Sequence, residues 1–149
     1  MNLHTQTSAT ASGKPDAVFG RAIDSARFPA MYLAFGPIPA IVGVDELGAG
    51  PALGSKRRVK MSDGSAIEEE LVVFERPTRY GYRWLTRPKP PFGWLIAGAV
   101  ADWTFSPDGD GTRVDWGYTF TLTSPLAAPL ALIVMAIFRR WMAKALARL

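Results

Sequence analysis

The chain has no cysteine and a single histidine, His4, in its 149 residues. The first absence excludes disulfides, thiolate nucleophiles and cysteine metal sites. The two together argue against a structural zinc site, which draws four ligands from those residue types. A Ser-His-Asp triad would have to recruit His4 as its base. No metal or cofactor is therefore expected. Strong charge is lacking too: the formal net charge is +4, and the basic residues are spread along the chain, where a nucleic-acid reader would gather them on one face. No nucleic-acid partner is expected. The opening MNLHTQTSATASG has neither the basic start nor the apolar core of a signal peptide, so a cytoplasmic protein is expected. A chain of this length can hide about 70% of its unfolded surface, and one domain over residues 1–149 is the expectation.

What the chain does have is an apolar C-terminal end, PLAAPLALIVMAIFRRWMAKALARL from Pro125 to Leu149. It begins with fourteen uncharged residues, whereas a transmembrane helix needs about 20 apolar ones. The reading is a long terminal helix from Leu126 onward, not membrane-spanning, with its first half enclosed because that half is apolar all round. On a helical wheel Met135, Met142, Leu146 and Leu149 lie together, flanked by Ala131 and Phe138. Arg139 falls near that face; it is expected to extend along its stem to water, or, if it points inward, to bind an acidic group on a ligand. Leu130, Ile133, Ile137 and Trp141 form a second stripe. It is left open among core, cavity wall and an interaction patch for a second copy or a bilayer surface.

The remainder reads as strands with two early helices. A weakly alternating first strand, Leu3–Ser12, suits a sheet edge. Pro15 opens a short helix to Ile23. Asp24-Ser25 caps a second helix through Ala26, Phe28, Met31, Tyr32 and Phe35. Alternation then takes over, with strands at Ile41–Leu47, Ser55–Met61, Ile67–Glu75, Tyr80–Thr86, Trp94–Phe105 and Thr112–Thr123, separated by turns rich in Gly, Pro, Asp and Ser. The last strand alternates most cleanly, with Val114, Trp116, Tyr118, Phe120 and Leu122 on one face, which predicts a sheet packed on one side and wet on the other. Strands in series with helices at the ends give an α+β domain.

In the order PDAVFGRAID, SARFPAMY, GAGPALGSKRRVKMSDG, EEELVVFERPTRYGYRW and DGDGTRVDWGYTF, followed by the terminal helix, the chain resembles the START/SRPBCC superfamily. This is the helix-grip fold of pollen-allergen-like proteins and of the polyketide cyclase/dehydratase group. The resemblance implies a curved antiparallel sheet of six to seven strands wrapped around the C-terminal helix, with a cavity between them for lipids, polyketides or other hydrophobic molecules. The superfamily also includes enzymes, but no single catalytic motif carries over.

The ligand-binding residues expected on these grounds are Tyr82, Arg83, Trp84, Trp116, Tyr118, Phe120, Met135, Phe138 and Met142. Asp102, the one charge in AGAVADWTF, is a candidate general base if it faces the cavity beside Arg83, and a solvated strand residue if the aromatic face is the inner one. The segment GAGPALGSK has the wrong order for a phosphate loop and reads as a turn. Arg87–Gly93 reads as a stiff loop at the cavity mouth, with Phe92 and Trp94 over the opening. Three functions stand side by side: a hydrophobic-ligand binder, a cyclase/dehydratase-like enzyme, and a peripheral membrane protein that handles lipids.

Overall fold

A computed structural model describes residues 1–149. Seven strands form one antiparallel sheet: β1 (Asn2–Ser12), β2 (Ile41–Glu46), β3 (Lys56–Met61), β4 (Ala66–Glu75), β5 (Arg79–Trp84), β6 (Ile96–Asp108) and β7 (Gly111–Leu122). Their order is β1-β7-β6-β5-β4-β3-β2. Every neighbouring pair except β1–β7 is consecutive in the chain, so hairpin turns build the sheet and the first strand closes it along β7. The ladder slips at Ile41/Gly43, Leu71/Val73 and Ile96/Gly98. Such bulges bend a strand and raise its twist, and here they curl the sheet. The α+β expectation and the seven-strand count hold.

Helix α1 (Pro15–Ile23) forms where Pro15 predicts it, with Val18, Phe19 and Ala22 buried. The second helix is far shorter than its apolar spacing implies. It is a 3-10 turn, Ser25–Arg27, running into one α-turn, α2 (Phe28–Met31). The chain leaves the helix at Tyr32, whose carbonyl accepts from Ile41 N–H, and Phe35 then exchanges two backbone hydrogen bonds with Ile38. Pairing toward β2 thus takes the backbone groups a longer helix would have used. A single turn, α3 (Phe92–Leu95), stands where the sequence reads as the start of a strand.

The terminal helix α4 (Ala128–Ala147) follows a 3-10 turn, Pro125–Ala127, in which the Ser124 hydroxyl accepts from Leu126 N–H. Ala131, Met135, Trp141, Met142, Ala145 and Leu146 are buried on its inner face. Trp141 therefore belongs to the core. Arg139 reaches the edge strand, donating from Nε to the Gln6 carbonyl at 2.8 Å. The expectation that the first half of α4 is enclosed is corrected. Leu126, Leu130, Leu132 and Ile133 are exposed, because the sheet covers one side of the helix and no element covers the other.

The concave face is filled unevenly. Along one row, Tyr80 pairs with Trp103 and Trp103 with Trp116, their rings stacked at 5.5 and 4.4 Å. Phe19 of α1 closes over this end against Phe74, Tyr80 and Phe105. In the next row of inward residues the middle position is small: Tyr82 pairs with Ala101, and Ala101 with Tyr118. Two positions back on β6 the inward residue is Ala99. The aromatic layer is thus continuous at one end of the sheet and hollow at the other.

Candidate functional site

The hollow end is a pocket of about 110 Å³ between the sheet and the inner face of α4. Its walls come from β3, β4, β5 and β7, from the loop ahead of α3, and from Val134, Met135, Phe138 and Trp141 of α4. Most of the lining is apolar. Tyr118 and Phe120 lie stacked at 5.3 Å, and Phe138 meets both edge-on at 5.1 Å.

One ion pair interrupts this surface. Arg57 Nε donates to Glu69 Oε1 at 2.8 Å, with both side chains less than a tenth exposed. The pair follows from hairpin register. The turn Ser62–Ser65 sets Arg57 opposite Glu69 and Val59 opposite Ile67, and all four point inward. The guanidinium lies 5.1 Å from the ring centre of Phe28 and 5.0 Å from that of Tyr82, a geometry in which ring faces attract a desolvated cation. Burial disfavours the charged arginine, but the Glu69 carboxylate outweighs it and raises the arginine pKa, so Arg57 stays a cation. Burial pushes the Glu69 carboxyl above its ordinary value, opposed by the charge of Arg57 and by its hydrogen bond.

Buried tyrosines add further polarity. The Tyr82 and Tyr118 hydroxyls lie 2.8 Å apart across Ala101. Burial holds both, and Tyr32, well above the usual tyrosine range, so they remain hydroxyls at neutral pH. Two hydroxyls carry two protons and their mutual bond uses one, which leaves one O–H donor. Two further donors have no partner: the indole N–H groups of Trp116 and Trp141, both buried and both on residues that line the pocket. An unmade hydrogen bond on a buried donor costs about 1–3 kcal/mol.

Seven of the residues expected at the site are brought together here: Tyr82, Trp84, Trp116, Tyr118, Phe120, Met135 and Phe138. Two expectations are corrected. Arg83 alternates to the outer face and pairs with Glu70 at 2.8 Å. Met142 is wholly buried among core residues and does not reach the pocket. Asp102 also lies on the outer face, held by Arg79 Nε at 2.9 Å, because the aromatic face is the inner one. The sheet stands between its carboxylate and the pocket, so it is no base for anything bound there. Of the loop residues expected at the mouth, Phe92 lines the pocket with Pro88 and Lys89, while Trp94 points to solvent.

Arg57 and Glu69 were absent from the expected set, yet the sequence held a signal. In KRRVKM and AIEEELV one charge of each sign falls on an apolar alternation, Arg57 with Val59 and Glu69 with Ile67 and Leu71. A four-residue turn between the strands puts the two opposite each other.

A family profile described as "Polyketide cyclase / dehydrase and lipid transport" matches residues 3–149. Among solved structures, the Zhui aromatase/cyclase from Streptomyces sp. R1128 aligns with a TM-score of 0.74 at 15% identity, covering 99% of this chain and 90% of that one. Ara h 8.0201 aligns at 0.70 with 16% identity, over 98% of this chain and 95% of that one. The di-domain ARO/CYC StfQ from the steffimycin biosynthetic pathway aligns at 0.67 with 16% identity, over 98% of this chain but 50% of its own length. Likenesses at such identity show the fold. Comparison with curated proteins gives no match.

Proposed function

The chain belongs to the polyketide cyclase / dehydrase and lipid transport family, and from that premise we propose that it binds a largely apolar small molecule bearing an acceptor oxygen, in the pocket between sheet and α4. The observation that carries this reading is the pair of buried, unpartnered indole donors, on Trp116 and Trp141, two residues of a mostly apolar wall. A hydrocarbon would leave both unsatisfied. A carbonyl, ether or ester oxygen would accept from one of them, recovering on the order of 1 kcal/mol of net hydrogen-bond energy. Arg57 and the Tyr82–Tyr118 couple add a cation and one O–H donor for a second oxygen.

Size narrows the class. Ligand pockets are commonly roughly 300–1,000 Å³, and this one holds about 110 Å³. A one- or two-ring compound fits with small side-chain shifts. A long lipid or multi-ring polyketide requires α4 or the loop ahead of α3 to move outward.

The test compares α-tetralone with tetralin, nearly the same shape with and without a carbonyl, by quenching of tryptophan emission. Once each is corrected for its own partition into an apolar solvent, the ketone is expected to bind about fivefold tighter, following from one hydrogen bond of about 1 kcal/mol. Trp141→Phe is expected to reduce that preference. Equal corrected affinities, or no binding of either compound, would overturn the reading.

A second reading, acid–base chemistry on the bound molecule, rests on Glu69, a titratable group in the pocket whose carboxyl is raised by burial. Perturbed groups of this kind mark catalytic sites as well as structural pairs. Glu69→Gln keeps the shape of the side chain. If it binds α-tetralone normally but no longer turns over a β-keto aromatic substrate that the wild type converts, the enzymatic reading stands. Unchanged turnover removes Glu69 from it.

A further inference from the structure

The outer side of α4 is a largely apolar helix face that the fold leaves uncovered. Helix and preceding turn together, Pro125–Ala147, have a mean hydropathy of 1.6, and little more than a quarter of their most apolar stretch is buried. At the N-terminal end Leu126 is 91%, Ile133 60% and Leu130 54% exposed, and Trp94 of the adjoining turn α3 is 71% exposed. Trp94 is tied to the start of this segment, since its carbonyl accepts from the Thr123 hydroxyl and that of Leu95 from Thr123 N–H. Large apolar side chains grouped in this way mark an interaction site, whereas scattered ones do not.

Charge identifies the partner. Residues 85–101 and 116–149 hold six basic and no acidic residues, whereas the rest of the chain holds eleven basic and thirteen acidic. Arg140 and Lys144 continue the outer face of α4 beyond Ile133 and Ile137, and Arg87 lies on the loop leading to α3; all three are exposed. Lys144 sits 5.4 Å from the Phe35 ring centre. Lys89, in the same loop as Arg87, is partly neutralised by Asp63 at 3.8 Å.

We propose that this face docks on an anionic bilayer, with Trp94, Leu126, Leu130 and Ile133 entering the acyl boundary and Arg87, Arg140 and Lys144 resting among the headgroups. The helix lies on the membrane and does not cross it, because its other face is locked in the core by Met135, Trp141 and Met142. Tryptophan favours this interface, and each lysine or arginine near an anionic surface strengthens binding about fivefold. A second copy is the poorer occupant. Two-fold pairing sets the same patch against itself, so the exposed Arg140 and Lys144 would border a copy that offers the same basic face and no carboxylate on it to pair with them. The docking face is distinct from the polar groups inside the pocket, so this inference and the ligand reading fail separately.

The experiment is co-sedimentation of the full chain with phosphatidylcholine vesicles, with and without phosphatidylserine. Binding is expected to the phosphatidylserine vesicles, to weaken at least tenfold with added salt, and to fall at least tenfold in Ile133→Ser and again in Arg140→Glu. Both side chains are exposed, and an unchanged melting temperature confirms that each variant is folded. Absent binding, equal binding to neutral vesicles, or binding indifferent to both substitutions would overturn the proposal. So would a dimer in analytical ultracentrifugation that Ile133→Ser dissociates while vesicle binding is absent, which would assign the face to a second copy.

Discussion

Arg57 and Glu69 form a buried ion pair on the inner face, which makes their energetics testable by substitution. Removing one member of a buried pair strands the other charge, at a cost of roughly 3–5 kcal/mol, whereas replacing both by apolar groups is often neutral. Arg57→Met alone is therefore expected to lose that much stability in urea unfolding. Arg57→Met combined with Glu69→Leu should recover most of it. Glu69 also makes stability depend on pH. Its folded carboxyl is raised by burial above the ordinary 4.5, so the folded state keeps a proton that the unfolded state has already released. The contribution is fully present below 4.5 and lost as pH rises through the raised value. Relative to Glu69→Gln, the wild type is expected to lose stability across that window by at most ~1.4 kcal/mol per pH unit. A slope of opposite sign would mean that the pairing with Arg57 outweighs burial.

At the scale of elements, α4 divides its work by face. Its inner side is split between core, where Met142 and Ala145 are wholly buried, and pocket wall, formed by Val134, Met135 and Phe138. Met142→Ala is expected to destabilise the fold by about 2–5 kcal/mol while leaving α-tetralone affinity within twofold, measured on the same protein below its melting temperature. A large loss of affinity without loss of stability would place Met142 in the pocket after all. The same separation operates within β6. Trp103 and Phe105 fill one half of the inner face and Ala99 and Ala101 leave the other half open, so a single strand fixes where the protein is solid and where it is hollow.

For the whole molecule, binding and folding are linked. A ligand that binds only the folded state stabilises it by about 2.7 kcal/mol at a hundred times its Kd. In a chain of this size that is a rise in Tm of roughly 5–10 °C. A thermal-shift titration with α-tetralone is expected to show such a rise, growing with the logarithm of concentration above Kd. Trp141→Phe should show a smaller shift at equal ligand. No shift at concentrations that saturate the fluorescence signal would mean that the compound does not bind the folded state in preference to the unfolded one.

Most of the frame was legible in local pattern. Alternation and turn residues located the strands to within a few positions, because a side chain on a half-buried strand alternates in character whatever it packs against. Pro15 and the apolar spacing placed α1 and the terminal helix, and seven pocket residues were legible as inward aromatics or inner-face helix residues. The rest depended on contacts between distant segments. The second helix stopped at Tyr32 because β2 took its backbone partners. Arg83 and Asp102 turned outward because the inner face already belonged to their aromatic neighbours. Arg57 and Glu69 were tolerated inside because hairpin register supplied each with its counter-charge. The opening stretch of α4 was left half uncovered because a single sheet can cover only one side of a helix, a limit set by geometry that no local pattern in the sequence records.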